Sequence, residues 1–396
     1  MRARKLCSVR CSTPICGVKD VGFATLIIKA TRLCNLRCSY CHDWRAGPDQ
    51  TMAFPVLART ISAALCEPDH QVVEFIWHGG ETTVLPIDFY KKAMMVQSRF
   101  RRHDQVVHNS IQTNGTRLTP TWVRFLRDHE FTVGVSLDGP PELHDRCRRT
   151  LSGQGSFDDV ARGIHLLQRF GVPFTVLMVV DDAALELGPD RVFDFFLALG
   201  VTHFSAIAAK PANQPYATSG TQTTHYADPI RMTGFLSRLY DRWCEHGDPK
   251  ILIRELHAIR NRLAGGRPGI CTLGGGCLGR YFLVEPNGEI AHCDLFLGDS
   301  RYSLGNVMQH SFGDIRKSAA LHSLQAENRR ALDQLSRCPE FGVCNGWCPH
   351  ERYLSVRHNP HHRADCCGLR ALITHIRIRI GQERRGGCPP LPLSSD

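Results

Sequence analysis

Six apolar, β-branched runs alternate with five helical patterns in the first half of the chain, and this alternation constrains the fold most strongly. The apolar runs are residues 25–30, 72–77, 109–113, 132–137, 174–180 and 203–208. The helical patterns between them are residues 54–66, 88–101, 119–129, 156–170 and 190–199. Strands separated by helices in this way predict βα units and therefore a parallel sheet.

Capping residues support several of these helices. Thr119, Ser156 and Asp190 stand at the start of three helical patterns, where side-chain oxygens cap free backbone N–H groups. Gly171 and Gly200 follow apolar helical runs, as C-terminal caps do. These signals set the helix boundaries that we expect.

The chain of 396 residues contains 18 cysteines, which bears on where the protein works. The first residues are basic but lack the apolar stretch of a secretory signal, so we expect a cytoplasmic protein. In a reducing compartment, cysteines more often hold metals or perform redox chemistry than form disulfides. We therefore expect several of them to be metal ligands.

The formal net charge is +10, which favours acidic partners or reflects only a basic, well-hydrated surface. No lysine-rich tract or basic stripe interleaved with aromatic residues points to nucleic acid. No apolar run approaches the ~18 residues of a membrane span. We expect neither nucleic acid nor a membrane among the partners.

Three cysteines stand on one short segment directly after the first predicted strand: Cys34, Cys38 and Cys41, in the sequence CNLRCSYC. Ligand sites of open α/β folds lie at this end of the strands. Three thiolates can hold three irons of a [4Fe–4S] cluster and leave the fourth iron open. A structural zinc site would need a fourth ligand, and His42 is too close to Cys41 to complete the same tetrahedron easily.

The chain changes character after residue 210. Residues 211–226 are polar and rich in Pro, Gly and Thr, and predict a loop, whereas residues 228–264 predict two helices. Residues 271–367 are rich in cysteine and glycine and show little periodicity. Such a segment buries little apolar surface, so its stability should depend on bound metal.

The first cysteine segment and the motifs after it resemble the signature of radical S-adenosylmethionine (SAM) enzymes. The next three strands end in HGGE at residues 78–81, QTNG at residues 112–115 and VSLDGP at residues 135–140. The resemblance implies a [4Fe–4S] cluster on the three cysteines and SAM as a second cofactor. It implies that SAM is bound by Tyr40, Gly79, Gly80, Glu81, Ser136 and Arg148.

These SAM contacts have a plain chemical basis. By the resemblance, Gly79, Gly80 and Glu81 receive the amino group, because glycines let the backbone approach and an acid neutralises an ammonium. Ser136 and Arg148 would lie on the ribose and carboxylate side, where an arginine fork suits a carboxylate.

The second half of the chain resembles the SPASM extension of radical SAM peptide and protein maturases, which holds two auxiliary [4Fe–4S] clusters. The resemblance assigns the first auxiliary cluster to Cys271, Cys277, Cys293 and Cys348. It assigns the second to Cys338, Cys344 and Cys366 and to a cysteine three residues before Cys338, where this chain has Leu335.

Leu335 leaves the second auxiliary cluster without its fourth ligand. The candidates nearby are Cys367, Cys388 and the histidines of segment 358–362. Otherwise one iron is open to substrate, or the cluster is smaller or absent, so we expect one or two auxiliary clusters. The ligands of the two clusters interleave along the chain, so metal binding should fold this segment as one unit.

Asp294 directly follows the predicted ligand Cys293. Anaerobic sulfatase-maturating enzymes, which share this architecture, carry an acid in the same context as a proposed proton acceptor. Asp294 is therefore the candidate catalytic base. The alternative is a carboxylate that only hydrogen-bonds a cluster sulfur or a backbone amide.

The fold class that these patterns and the resemblance imply is α/β: a partial (β/α)6 barrel, similar to a TIM barrel, with a C-terminal cysteine-rich SPASM domain. The expected parts are an N-terminal arm (1–22), the barrel (23–210), a linker with bridging helices (211–265), the SPASM domain (266–375) and a tail (376–396). Cys7, Cys11 and Cys16 in the arm are spaced like ligands, but more simply belong to an exposed arm.

The resemblance implies an oxidoreductase in which SAM yields a 5′-deoxyadenosyl radical that abstracts hydrogen from a substrate side chain. Our first hypothesis is maturation of a ribosomally synthesised precursor peptide by an oxidative cross-link of the cyclophane or thioether type. The second is conversion of Cys or Ser to formylglycine on a sulfatase, and Leu335 argues against it because sulfatase maturases carry all four cysteines. The third is a non-catalytic iron–sulfur electron carrier.

The partners follow from these hypotheses. We expect a precursor peptide with a leader, and a flavodoxin or ferredoxin as electron donor. The segment before Cys34 is too short for a separate peptide-binding domain. The leader would therefore dock on the barrel, on the SPASM domain or on a separate peptide-recognition protein.

Overall fold

The computed structural model describes residues 22–41, 50–211 and 226–383. Several features discussed above lie outside the described residues: Cys7, Cys11 and Cys16 of the arm, His42, residues 212–225 of the linker, and Cys388 with the rest of the chain after residue 383.

One ten-stranded sheet forms the centre of the molecule. Its strands are β1 (Phe23–Thr31), β2 (Val72–Gly79), β3 (Val106–Thr113), β4 (Thr132–Ser136), β5 (Phe174–Val180), β6 (His203–Ala208), β7 (Leu252–Ile253), β8 (Tyr281–Val284), β9 (Glu289–His292) and β10 (Ser303–Asn306). Their order is β10-β9-β8-β1-β2-β3-β4-β5-β6-β7, with β1 to β7 parallel. The predicted parallel array of six strands is confirmed. Its barrel is partial, because β7 and β10 are the two edges among the described strands.

Helices connect the strands and continue into the second half of the chain. They are α1 (Phe54–Cys66), α2 (Ile87–Phe100), α3 (Pro120–Asp128), α4 (Pro141–Cys147), α5 (Phe157–Arg169), α6 (Asp182–Leu187), α7 (Pro189–Ala198), α8 (Pro229–His246), α9 (Arg254–Leu263), α10 (Cys271–Gly274), α11 (Phe312–Arg316), α12 (Ala319–Leu335), α13 (Phe341–Cys344), α14 (Pro349–His358) and α15 (Arg370–Glu383). The five helices predicted in the barrel are α1, α2, α3, α5 and α7, and the two bridging helices are α8 and α9. Among the described helices, none has both the length and the apolar character needed to cross a bilayer.

The helix caps follow the predictions only in part. Thr119 caps α3, because its side chain accepts a hydrogen bond from the backbone N–H of Trp122. Ser156 precedes α5 but does not cap it; its hydroxyl donates to the carbonyl oxygen of Arg148 instead. Asp190 lies in the first turn of α7, whose N-cap is Gly188.

The cysteine-rich half is joined to the barrel through the sheet itself. β8 pairs in parallel with β1, and β9 and β10 extend the sheet as antiparallel strands. β1 is buried along its whole length, including the polar residues Thr25 and Lys29. Because β8 covers one edge of β1 and β2 covers the other, the two halves share one hydrogen-bonded framework.

The end of the described chain is helical rather than extended. α15 continues past residue 376, where the tail was expected to begin, and it packs against α8 and α9. The carboxylate of Glu383 forms a buried ion pair with Arg260 at 2.9 Å, and Arg260 also donates to the Tyr240 hydroxyl at 2.8 Å. The last helix therefore belongs to the packed structure as far as Glu383.

Candidate active site

A cavity of about 300 Å³ opens at the carboxyl ends of the barrel strands. Both halves of the chain line it. Its lining includes Cys34, Cys38, Tyr40, Cys41, Gly79, Gly80, Glu81, Ser136, Arg148 and Asp294. All residues predicted to bind the first cluster and SAM, together with the candidate base, thus surround one space.

The segment with Cys34, Cys38 and Cys41 is held against the chain that follows α4. Leu36 forms an isolated bridge with Thr150. The backbone N–H of Arg37 donates to the carbonyl of Arg149 at 2.7 Å, and that of Ser39 to the carbonyl of Cys147 at 3.0 Å. These backbone bonds fix the loop at the rim of the cavity, so its three thiols need no secondary structure of their own to be positioned.

The three thiols suit a multi-iron group better than a single ion. Among the described residues, no three His, Cys, Asp or Glu side chains converge closely enough to hold one metal ion. A [4Fe–4S] cluster binds each cysteine through a different iron, so its ligands need not meet at one point. Burial raises the pKa of Cys34 and Cys38 to about 12, and the backbone N–H of Leu36 donates to the Cys34 sulfur at 3.3 Å. The three thiols thus fit a [4Fe–4S] cluster, which would bind each of them through a different iron and lower their pKa on binding.

Gly79 and Gly80 let the end of β2 approach the loop after β1. A Cβ atom on Gly79 would lie 2.0 Å from the carbonyl oxygen of Thr31, and one on Gly80 would lie 2.2 Å from that of Leu33. Gly79 also adopts a φ of +134°, which side chains disfavour. We expected these glycines to make room for the amino group of SAM. In the structure they make room for the backbone at the end of β1 and at the start of the cysteine loop.

The carboxylate of Glu81 ties the ends of β2 and β3 together. One oxygen accepts hydrogen bonds from the hydroxyl of Thr113 at 2.6 Å and from the backbone N–H of Thr83 at 2.9 Å. The other oxygen accepts from the backbone N–H of Asn114 at 2.6 Å. Glu81 is almost fully buried yet lines the cavity, so an ammonium group at this site would meet a carboxylate that is already rigidly oriented.

Arg148 makes an ion pair that the sequence analysis missed. Its guanidinium donates to both oxygens of the buried Asp138, at 2.8 and 3.2 Å, and lies 5.4 Å from the centre of the Tyr40 ring. Tyr40 also donates its hydroxyl proton to Asp138. Burial alone would raise the pKa of Asp138, but the neighbouring Arg148 lowers it below its usual value. A SAM carboxylate at Arg148 would therefore share the guanidinium with Asp138.

Ser136 at the end of β4 and Gln112 near the end of β3 lie side by side in the cavity lining. The amide of Gln112 donates to the Ser136 hydroxyl at 3.0 Å, and both residues line the cavity. Asn114 reaches back to the cysteine loop, where its amide donates to Asn35 at 3.0 Å. These contacts orient the polar groups that the resemblance places on the SAM ribose.

Asp294 enters the cavity from the cysteine-rich half and meets a lysine from the barrel. Its carboxylate lies 3.6 Å from the Lys29 ammonium, which is fully buried. Lys29 also lies 2.9 Å from Nδ1 of His78, and the backbone N–H of Gly79 donates to the same nitrogen at 2.8 Å. The sequence signal for this contact is a lysine within the otherwise apolar strand FATLIIKAT, and it was not among the predicted site residues.

The four cysteines assigned to the first auxiliary cluster are brought together. Burial, and after it the proximity of Cys348, raises the pKa of Cys271 to about 11 and that of Cys277 to about 12. Burial also raises the pKa of Cys293, with Asp294 and Cys348 as further causes. Of these cysteines, Cys348 is buried and Cys271 is exposed at the surface. The four thiols come from separate points in the sequence and form a group that fits a cluster next to Asp294.

The cysteines assigned to the second auxiliary cluster also come together, with one addition. Cys366 interacts through its thiol with Cys338, and Cys367 interacts with both Cys344 and Cys366. Leu335, at the position where a cysteine was expected, lies in the hydrophobic core.

Two family profiles match the chain, one in each half. The Radical SAM superfamily profile matches residues 28–182. The profile of SPASM, an iron–sulfur cluster-binding domain, matches residues 276–345. The first domain binds a [4Fe–4S] cluster and SAM, and the second binds auxiliary iron–sulfur clusters, as the sequence analysis expected.

Solved structures share the fold over most of the chain. Native anSMEcpe with bound AdoMet and Kp18Cys peptide superposes with a TM-score of 0.79 at 24% identity, covering 91% of this chain and 99% of that chain. Streptococcus suis SuiB bound to precursor peptide SuiA gives a TM-score of 0.60 at 17% identity, covering 88% of this chain and 76% of that chain.

Curated relatives match at higher identity. The chain is 31% identical over 339 residues to the serine-type anaerobic sulfatase-maturating enzyme of Bacteroides thetaiotaomicron, covering 81% of each chain. It is 26% identical over 333 residues to the cysteine-type anaerobic sulfatase-maturating enzyme of Clostridium perfringens, covering 82% of this chain and 88% of that one. The chain therefore belongs to the radical SAM enzymes with a SPASM domain, in the family of the anaerobic sulfatase-maturating enzymes.

Proposed function

We propose that this enzyme oxidises a Ser or Cys side chain of a sulfatase to the aldehyde of formylglycine. The observation that carries the proposal is the match to sulfatase-maturating enzymes of both the serine and the cysteine type, along about four fifths of the chain. These relatives favour formylglycine formation over our first hypothesis, the cross-linking of a ribosomally synthesised peptide.

Leu335 does not count against this function. It would do so only if the second auxiliary set had three cysteines. Cys367 lies beside Cys344 and Cys366, so a fourth thiol stands in this set from another position in the sequence. The chain therefore does not depart from a sulfatase maturase in the number of cysteines available.

The cavity supports an oxidation that removes a hydrogen atom, a proton and one further electron from one side chain. When bound, the auxiliary clusters would accept that electron. A serine would then give the aldehyde directly, whereas a cysteine would give a thioaldehyde that water hydrolyses with loss of sulfide. When bound, the cluster and SAM supply the radical chemistry that takes the hydrogen atom from an unactivated C–H bond. Asp294 lines the same cavity and presents a carboxylate that can accept the proton of the substrate hydroxyl or thiol. Its salt bridge with Lys29 holds this carboxylate toward the cavity.

Part of the cavity wall is apolar. Its apolar side chains come from four parts of the chain: Leu36, Leu177, Val179, Ile207 and Leu295. Apolar surface next to a reactive carbon limits its side reactions. The salt bridge of Lys210 with Glu351 joins the end of the barrel to α14 at the edge of this wall.

We infer that the substrate enters as a peptide segment and that the electron donor is a flavodoxin or ferredoxin. The peptide partner is supported by the shared fold with anSMEcpe bound to the Kp18Cys peptide. The donor is supported by the net charge of +10, which suits an acidic protein.

A peptide assay tests the proposal. The anaerobically reconstituted enzyme is given SAM, a reductant and a sulfatase active-site peptide in Cys, Ser and Ala forms. We expect a product that reacts with a hydrazide from the Cys form, the Ser form or both, and none from the Ala form. A product that lacks two hydrogens but does not react with hydrazide would instead indicate ring closure and contradict the proposal.

A further inference from the structure

We propose that Cys367 is the fourth ligand of the second auxiliary [4Fe–4S] cluster, replacing the cysteine that is absent at position 335. The inference concerns the iron–sulfur complement of the chain and does not depend on which side chain the enzyme oxidises. It gives a defined role to a cysteine that the family pattern leaves unassigned.

Leu335 cannot serve as a ligand and is used for packing instead. It is the last residue of α12 and is 3% exposed. Its side chain lies in the hydrophobic core, 3.4 Å from where a Cβ atom on Gly346 would be. Leu335 thus packs against the segment around Gly346, which directly follows Cys344.

Four thiols form a continuous group around this position. Cys338 interacts with Cys366, Cys366 with Cys367, and Cys367 with Cys344. Cys338, Cys344 and Cys367 are buried. A cavity of about 380 Å³ is lined by Cys366, Cys367 and Leu335, so there is open space next to two of the four thiols.

The backbone around each thiol is arranged to receive a negatively charged sulfur. The backbone N–H of Gly368 donates to the Cys366 sulfur at 3.5 Å. The backbone N–H groups of Glu340, Gly346 and Leu369 lie near the sulfurs of Cys338, Cys344 and Cys367 in the same way, two residues after each cysteine. Cys34, a predicted ligand of the SAM-binding cluster, has the same contact with Leu36. Hydrogen bonds to ligand sulfurs are a regular feature of iron–sulfur sites.

The histidines near this site are less suited to be the ligand. His362 is the one that lines the same cavity, but it is exposed and its Nδ1 lies 3.0 Å from the Ser355 hydroxyl. The ring of His358 packs on that of Tyr226, with centroids 5.6 Å apart. Among the described residues, Cys367 is the candidate already in contact with two of the expected ligands.

A cluster held by four thiolates has no iron open to substrate. It can therefore transfer electrons but cannot bind the peptide directly. The partly buried guanidinium of Arg352 is close enough to act electrostatically on Cys277 and Cys348 of the first auxiliary set and on Cys344 and Cys367 of the second. This cation offsets part of the negative charge that two thiolate-ligated clusters would place in the interior.

Iron and sulfide analysis of anaerobically reconstituted variants tests the inference. The parent should hold about 12 irons per chain, because each of three [4Fe–4S] clusters contains four. Cys367→Ala should lose one to four of these irons and, where three remain in the cluster, show a [3Fe–4S] signal by electron paramagnetic resonance. The matched control is Cys66→Ala, at an exposed cysteine outside all three sets, which should keep the parent value.

A second change separates ligation from folding. Leu335→Cys in the Cys367→Ala background returns a cysteine to the position that the family pattern predicts, and we expect it to restore the iron content and the spectrum. Iron content in Cys367→Ala equal to that of Cys66→Ala would overturn the inference. A loss that Leu335→Cys does not restore would also overturn it, because it would indicate a folding role for Cys367. None of these readouts requires a peptide substrate.

Discussion

At the scale of single residues, the candidate site combines groups that lie far apart in the sequence. The thiols of Cys34, Cys38 and Cys41 come from the loop after β1, whereas Asp294 follows β9 in the cysteine-rich half. They share one cavity because β8 pairs with β1. After removal of a hydrogen atom, an oxidation to an aldehyde requires an acceptor for one proton and another for one electron, and a carboxylate in the cavity can be the proton acceptor.

Asp294→Asn should lower aldehyde formation by about 10²- to 10⁴-fold, the usual contribution of a general base, while leaving SAM cleavage largely intact. The change keeps the shape of the side chain and removes its basicity. The measurement is the ratio of aldehyde to 5′-deoxyadenosine. The control is Asp88→Asn, at an exposed side chain of α2, which should give the same ratio as the parent. Normal aldehyde yield in Asp294→Asn would show that this carboxylate is structural.

Gly79→Ala should abolish SAM cleavage and destabilise the chain by several kcal/mol. The added Cβ would lie 2.0 Å from the Thr31 carbonyl oxygen, at a φ of +134°. Gly234→Ala in α8, where a Cβ meets nothing within 4 Å, is the control and should be neutral or stabilising. Anaerobic thermal unfolding and 5′-deoxyadenosine formation measure both effects. A Gly79→Ala protein as stable and active as the parent would refute the close-approach argument.

The sequence predicted most cavity residues because they stand in short motifs at the ends of strands. It did not predict Asp138 as the partner of Arg148, since an aspartate in a turn motif carries no sign of which cation it will meet. Nor did it single out Cys367 among the candidates for the missing ligand. That choice depends on the turn before α15 bringing its thiol to Cys344, which is a tertiary contact and not a local pattern.

Among the secondary-structure elements, the barrel strands and the longer helices between them were predictable from the periodicity of apolar residues. The short helices were not. α1 has the predicted bounds, because its apolar positions recur over more than three turns. α4 and α6 span fewer than two turns, too short for periodicity to show. The pairing of β8 with β1 joins residues about 250 positions apart, and no local pattern specifies such a contact.

Glu285→Gln should destabilise the junction between the two halves by about 2 kcal/mol, because it leaves the buried Arg32 without its carboxylate. Arg32, after β1, donates through Nε to Glu285, after β8, at 2.9 Å. Urea unfolding under anaerobic conditions measures the loss. Glu142→Gln is the control, since Glu142 is exposed and pairs only at 3.5 Å. Equal unfolding midpoints for the two variants would show that the pair does not stabilise the junction.

His70 should make the protein less stable in mild acid. Burial lowers its pKa to about 4, and Arg316, 2.8 Å from its Nε2, acts in the same direction. A histidine in the unfolded chain has a pKa near 6.5. Between pH 6.5 and 4, His70 is therefore protonated in the unfolded state and neutral in the folded state. Stability should therefore fall as the pH drops through this window, by up to about 3 kcal/mol from this residue.

The pH dependence of the unfolding midpoint checks this expectation. His70→Gln should have a shallower dependence between pH 7 and 5 than the parent, and His165→Gln, at an exposed histidine, should follow the parent. Parallel curves for the parent and His70→Gln would contradict the assignment.

At the scale of the whole molecule, one sheet unites the barrel with the cysteine-rich half, and the chain carries a formal net charge of +10. The sheet explains how Asp294 of the cysteine-rich half comes to line the barrel cavity. Composition gives the net charge of the molecule, but it does not show which surface of the molecule contacts a partner.

Binding of an acidic flavodoxin should weaken as salt rises, because screening shortens the reach of surface charges. We expect the dissociation constant to increase about tenfold or more between 0.05 and 0.5 M salt, measured anaerobically by titration. A basic protein of similar size is the control and should not bind. An affinity for the acidic partner that does not change with salt would show that charge does not guide this encounter.

The most direct test of the account follows the hydrogen atom. A sulfatase active-site peptide with deuterium on the Cβ of its target Ser or Cys is incubated with reduced enzyme and SAM, and both products are analysed by mass spectrometry. The account predicts one deuterium in 5′-deoxyadenosine and a hydrazide-reactive aldehyde on the peptide. 5′-Deoxyadenosine without deuterium, or a labelled 5′-deoxyadenosine with no aldehyde, would contradict it.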